Sequence, residues 1–189
     1  SIHLNHGGTE MGQGLFIKVA QVVAEAFALP VDAVKITATT TAKVPNTSAT
    51  AASSGSDLNG MAALAAANTI KDRLIGFAAE HFEVADSDVT FLDGMVKAGN
   101  HAIPFAELVR LAYRARISLS STGYYRTPKV HFDNATMRGR PFFYYAHGVA
   151  VSEVAIDTLT GEWRALRTDI LHDVGASLNP AVDRGQIEG

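Results

Sequence analysis

His6–Gly14 reads HGGTEMGQG, with four glycines in nine positions directly ahead of an apolar run. Glycine gives a backbone that turns at positive φ or lies close against another group, so this stretch marks a place where main chain makes the contacts. Upstream, Ile2-His3-Leu4 reads as a strand. Downstream, Leu15, Phe16, Val19, Ala20, Val22, Val23 and Phe27 recur at helical spacing until Pro30 stops the run. The order is strand, bare loop, helix.

The order then repeats. AVKITATTTAKV, residues 33–44, is rich in β-branched residues, with Val34, Ile36 and Ala38 alternating against Lys35 and Thr37, and reads as a strand. Pro45-Asn46-Thr47-Ser48 and ATAASSGSD follow as a loop of small residues. From Asp57 a long helix is predicted, with Leu58, Met61, Ala62, Leu64, Ala65, Ile70, Leu74 and Phe77 on one apolar side. Two helix N-termini, each preceded by exposed backbone, suit one anionic ligand shared between them.

Beyond the second helix, DVTFLDGMVKAGNHAIPF reads as a hairpin around Asp93-Gly94, and Phe105 to Ala115 as a short helix. Residues 118–142 carry Ser, Thr, Gly, Asn and proline without a strong period, and form a long connection containing the expected lobe boundary. This divides the chain into residues 1–122 and 123–189. Residues 143–156 and 163–172 read as two strands joined through Asp157–Gly161, and the closing DVGASLNPAVDRGQIEG is turn-rich around Gly175 and Asn179-Pro180. Ser1 opens on a strand and Gly189 closes where a helix is expected to start, so the chain is expected to be a piece of a longer polypeptide.

Charge and composition exclude several classes. A net charge of −3 gives no basic field for nucleic acid or an anionic membrane. No window approaches the roughly 18 apolar residues of a membrane span. The absence of cysteine rules out a thiolate zinc site, an iron–sulfur cluster or a disulfide within this chain, and fits a cytoplasmic setting. Seven histidines are scattered without HExxH or another ligand spacing, so no metal is expected to be held directly by protein. His172-Asp173 beside Asp169 reads either as a small proton-relay cluster or as the end of a solvated strand.

The glycine loop itself resists two familiar assignments. Gly7 and Gly12 have P-loop separation, but Gln13 and Gly14 stand where Lys and Ser/Thr must reach phosphate and magnesium. Glycines at 7, 8, 12 and 14 never give the intervals of G-x-G-x-x-G. A tight strand-to-helix turn and a ligand-binding turn both remain open. Gln13, with an amide that donates and accepts, suits a heterocycle or an oxo group. In TAASSGSD, Ser53, Ser54 or Ser56 can cap the following helix, or the hydroxyls around Ala51 and Ala52 can line a pocket for a flat ligand.

Several collinear blocks together carry a resemblance. HGGTEMGQG, VPNTSATAASSGSDLNG, STGYYRTPKVHFD and VSEVAIDTLTGEWRALRTDILHDVGASLNPAVDRGQIEG run in unbroken order from His6 to Gly189. The chain resembles the molybdopterin-binding portion of xanthine dehydrogenase-like molybdenum hydroxylases, in the xanthine oxidase and aldehyde oxidase family.

The resemblance implies an α+β fold, with helices packed on mixed β-sheets in two related strand–loop–helix lobes. It implies molybdenum held through the pterin rather than by protein. By matching positions, Gly12 and Gln13 would contact the cofactor, Met11 would wall it, and Gln186 would bond it from the other end. Ser53, Ser54 and Ser56 would complete the pterin or phosphate contacts, and Ala51 and Ala52 would face substrate. The activity implied is purine hydroxylation, with electrons leaving through 2Fe–2S clusters to FAD and NAD in other domains or subunits of an oligomeric parent. The family's general base is a glutamate followed by prolines, and no glutamate here has that context. It is expected downstream, and the isolated chain is expected to be inactive. The alternatives are a non-catalytic anion- or nucleotide-binding module and a family-derived scaffold.

Overall fold

A computed structural model describes residues 1–37, 39–44, 47–51 and 53–189. They form two compact units, Ser1–Arg126 and Thr127–Gly189.

The first unit is built on a parallel pair. Strand β1, Ile2–Leu4, pairs with β2, Val34–Ile36, in the register Ile2↔Val34 to Leu4↔Ile36. Parallel strands need a crossover, supplied by helix α1, Leu15–Ala26, which buries Leu15, Val19, Ala20, Val23 and Ala24. Because β1 and β2 run the same way, the loops after them leave from the same edge of the sheet. Helix α2, Gly55–Phe82, follows the second loop and packs along α1 with Gly60, Ala63 and Ala67 buried, while Leu74, Ala78 and Ala79 are buried further along it. It ends at Glu83, whose φ of 55° turns the chain out of the helix.

Strands β3 (Val89–Leu92), β4 (Met95–Ala98) and β5 (His101–Pro104) make an antiparallel meander, followed by helix α3, Phe105–Arg114. Phe27 at the end of α1 meets Phe91 and Phe105, with ring centroids 6.5 and 5.5 Å away. The meander is thereby joined to the parallel pair in one core, whose fully buried members include Leu15, Val19, Leu74, Val96 and Leu108. Burying each such side chain contributes about 1.5–3 kcal/mol.

The second unit has strands β6 (His131–Asp133) and β7 (Arg138–Arg140), a longer hairpin of β8 (Gly148–Ile156) and β9 (Trp163–His172), and helix α4, Pro180–Glu188. The long hairpin pairs Gly148↔His172 through Ile156↔Trp163, with one irregularity at Glu153/Val154. Its two faces differ. Ala150, Ser152, Val154 and Ile156 share a face with Trp163, Ala165, Thr168 and Ile170, and the Ser152 and Thr168 hydroxyls meet there at 3.0 Å. Glu153, Arg167 and Asp169 lie on the other. None of the described residues of this unit is buried.

The fold is α+β. Several element expectations change. Strand β2 stops at Ile36, and Lys43 and Val44 donate back to the Thr40 carbonyl in a turn. Ala38, Pro45 and Asn46, parts of the expected strand and loop, lie outside the described residues. The expected hairpin at Asp93-Gly94 has a third strand, because a second turn at Gly99, φ 58°, returns the chain again. Within the segment read as connection, β6 and β7 pair. The closing turn-rich segment contains helix α4: Asn179 Oδ1 accepts from Val182 N at 3.1 Å, and Pro180 occupies the first turn, where it loses no hydrogen bond.

Candidate functional site

The two loops at the carboxyl edge of β1 and β2 are joined to each other. Thr9 N donates to Thr50 Oγ1 at 2.8 Å, and Thr39 Oγ1 bonds the carbonyls of His6 and Gly8 at 3.1 and 3.3 Å. This is why the threonine-rich segment leaves the sheet after Ile36: its hydroxyls serve the glycine loop. At Gly8 a Cβ would sit 2.4 Å from Leu15 Cδ2 and 2.9 Å from Asn59 Nδ2, so a methyl there requires the ends of those two side chains to move. The carboxyl edge of parallel strands is where open α/β sheets generally receive ligands.

Glu10 organises the next turn of the loop. Its Oε1 accepts from Gly12 N at 2.9 Å and Gly14 N at 3.0 Å, and its Oε2 from Phe16 N at 2.9 Å. Desolvation pushes the Glu10 pKa up, but the amides of Phe16, Gly12, Gly14 and Leu15 together outweigh it and hold the carboxyl below its ordinary value. The side chain of Gln13 closes the same turn, accepting from Met11 N at 2.6 Å and donating to Thr9 O at 2.8 Å. After these two bonds, one Nε2–H and one Oε1 lone pair of Gln13 are left over among the described residues. Gly12 has φ 103°, and no atom of the described residues lies within 4 Å of where a Cβ would be.

His6 sits beneath the loop, 5% exposed, its ring edge-on to Phe16 at 5.0 Å. Nδ1 accepts from Gly8 N at 3.1 Å, which puts the ring proton on Nε2. Desolvation dominates and lowers the His6 pKa, against the Asn59 side chain and the charge of Glu10, which both favour the imidazolium. No hydrogen bond of normal geometry joins Nε2 to a partner among the described residues. The ring is neutral and works as an acceptor.

The sequence-derived residues fall in two places. Met11, Gly12 and Gln13 lie on the glycine loop, with Met11 69% exposed. Ala51, Ser53, Ser54 and Ser56 lie on the second loop and the start of α2, on the same sheet edge. Ala52 lies outside the described residues. Gln186 is on α4 of the second unit.

Two expectations are corrected, and one open pair of alternatives is decided. No serine side chain caps α2: Ser54 Oγ donates to the Ala51 carbonyl at 3.1 Å, and Ser53 adopts φ 55° instead. The N-terminus of α1 does not stand open for an anion, because the Glu10 carboxylate already occupies its amides. Asp169 and His172 point to opposite faces of β9, and Asp169 pairs with Arg167 at 2.7 Å, so the solvated-strand alternative holds there. Glu10, His6, Thr39 and Thr50 were not singled out from sequence; the one available signal was a carboxylate four residues before the last loop glycine.

Among the described residues no group of three His, Asp or Glu side chains is placed to hold a metal ion. The edge instead offers a flat ligand the open face of Gly12, the remaining valences of Gln13 and main chain of the second loop.

The model of the molybdopterin cofactor-binding domain matches residues 1–189. Xanthine dehydrogenase/oxidase of Mus musculus is 47% identical over 189 residues, which is all of this chain and 13% of that protein. Xanthine dehydrogenase of Oryza sativa subsp. japonica is 45% identical, again over 100% of this chain and 12% of its own length. The chain thus spans a small part of the curated relatives it matches. Among solved structures, CO dehydrogenase from Oligotropha carboxidovorans superposes with a TM-score of 0.76 at 24% identity, covering 98% of this chain and 22% of that one. Quinoline 2-oxidoreductase from Pseudomonas putida 86 gives 0.72 at 24%, covering 98% and 23%. At that identity the two structures speak to the fold. The full-length match and the 45–47% identities show that this chain belongs to the molybdopterin cofactor-binding domain family.

Proposed function

We propose that the chain forms one part of the molybdopterin cradle of a xanthine dehydrogenase-like molybdenum hydroxylase acting on a purine. The observation that carries this is the joined pair of loops at the carboxyl edge of β1 and β2, where Gly12 leaves open space beside main chain. Molybdopterin fits that edge: it brings its own metal ligands, so no protein metal site is needed, and its flat ring suits bare backbone and a side-chain amide. When bound, it supplies the oxidising chemistry.

In this reading Gly12 and Gln13 contact the cofactor through the open backbone face and the spare amide valences, and Met11 covers it. Ser53, Ser54 and Ser56 hold the pterin or its phosphate, with the first-turn amides of α2 replacing those that Glu10 takes at α1. Ala51 and Ala52 face substrate, where a methyl leaves room for a planar ring. Gln186 contributes from α4. Residues 1–122 form one subdomain portion and 123–189 lead into the next cofactor-binding segment. The general base, the 2Fe–2S and FAD groups, the oligomeric partners and the remainder of the cradle belong to the longer protein, in the cytoplasm.

The test is direct. Full-length protein with Gln13→Ala is expected to lose molybdopterin content and xanthine hydroxylation together, while the isolated 189-residue chain turns over no xanthine. Xanthine turnover by the isolated chain, or full cofactor retention in the variant, would overturn the reading. No observation favours the anion-binding module over this reading: at α1 the Glu10 carboxylate fills the anion seat, and a phosphate at α2 is equally that of molybdopterin.

A further inference from the structure

Helix α1 begins without a capping side chain, because its N-cap is Gly14 at φ 76°. A helix start leaves its first amides unsatisfied, and here the missing acceptor arrives from four residues upstream. Both oxygens of Glu10 are used: Oε1 takes Gly12 and Gly14, and Oε2 takes Phe16. Gln13 stands between the two glycines so held, and its side chain ties the residues on either side of Glu10, Thr9 and Met11. Residues 9–16 are therefore a closed knot with a carboxylate at its centre. The surfaces it leaves outward include the bare face of Gly12, the spare valences of Gln13 and the exposed Met11 side chain.

We propose that Glu10 is the positioning residue of this loop, its carboxylate fixing the outward presentation of Gly12 and Gln13 to the cofactor. Two glycines at positive φ have many alternative conformations, and no side chain of their own restrains them. Hydrogen bonds from neutral amides to a charged acceptor are the strong kind, and three of them converge on one group. Glu10 also occupies the positive end of α1, so an anionic part of the ligand is directed away from it and toward the second loop. Without Glu10, that end would attract the ligand's own charge and Gln13 would be turned from its place. The proposal rests on the cofactor-binding reading above.

The chemistry predicts a graded series. Glutamine keeps a carbonyl for Gly12 and Gly14 but sets an NH2 against Phe16 N–H; alanine removes all three acceptor contacts. In the full-length protein, hydrogen exchange of a peptide covering residues 9–17 is expected to accelerate roughly 10-fold or more in Glu10→Ala, as follows from losing charged hydrogen bonds. Glu10→Gln should lie between that variant and wild type, with exchange in α2 unchanged as the control for folding. Molybdopterin content should fall in the same order. A side chain that merely filled space would let glutamine match wild type. Unchanged exchange in both variants would overturn the proposal, and so would accelerated exchange with full cofactor content. If the wild-type protein itself retains no molybdopterin, the cofactor reading falls, and the exchange series still decides whether Glu10 orders the loop.

Discussion

The two units reach order by different routes. Residues 1–126 enclose an apolar core drawn from two small sheets and three helices, and its buried set runs from Leu4 to Ala112. Residues 127–189 have comparable main-chain regularity, with two hairpins and a capped helix, yet Val151, Ile156, Trp163, Ile170 and Leu171 are each more than 60% exposed. Hydrogen-bonded pairing defines a shape, whereas stability comes mainly from apolar burial. The unit with the glycine loop therefore carries its own support, and the ribbon does not.

The sharpest way to break this contrast is to separate the units. Residues 1–126 alone are expected to unfold cooperatively on heating, followed by circular dichroism, while residues 127–189 alone give no cooperative transition. A cooperative melt of the smaller piece would abolish the distinction. Next in size, Leu74→Ala or Leu108→Ala should cost about 2–5 kcal/mol in denaturant titrations, because both side chains are fully buried. Ile170→Ala on the ribbon should stay within about 0.5 kcal/mol.

Gly8→Ala probes how the loop is seated on that core. The added methyl meets Leu15 and Asn59 at 2.4 and 2.9 Å, and the expected loss is about 1–3 kcal/mol, with disrupted exchange protection in the loop.

A smaller effect is set by pH, and its sign follows from the two titrating groups of the loop. His6 has a lowered folded pKa, so the unfolded chain takes up its proton first as pH falls. Its contribution is complete above about pH 6.5 and declines below it. Glu10 is also lowered, so its contribution is present above the ordinary carboxylate value and is lost as pH falls through the folded one. Both act in the same direction, and loop amides should lose protection in two steps on acidification while the α2 amides do not. Removing the exposed Arg167–Asp169 pair should likewise have a small effect, below about 1 kcal/mol.

Much of the first unit was legible because its signals were local. The spacing from Leu15 to Phe27 and the stop at Pro30 describe α1 without reference to any partner. The existence of α2 was legible too, but not the side it buries: Gly60, Ala63, Ala67, Ala78 and Ala79 turn inward with Leu74, while Met61 is 42% exposed, because close helix packing selects small residues over large apolar ones. Strand β2 was overextended because β-branched threonines favour a strand by propensity, while the fate of Thr39 depends on carbonyls more than thirty residues earlier. Helix α4 had its sign in Asn179-Pro180, which reads equally as a turn until the Val182 amide is seen to be satisfied. At the site, the glycines stood out but the role of Glu10 did not. The amides it binds converge only after Gly12 and Gly14 adopt positive φ, which no pattern of residue types displays.

Helix α2 sets a rule for how this domain can vary in length. Its 28 residues begin beside the second loop and end at the turn into the meander, and one continuous body carries the alanines against α1 and Leu74 into the core. Each residue turns a helix by about 100°, so a single insertion within residues 55–82 would rotate everything beyond it out of register with one of those surfaces. Gains and losses of residues in this lineage should therefore collect outside α2, in the turns that flank it, leaving the length of the helix itself constant.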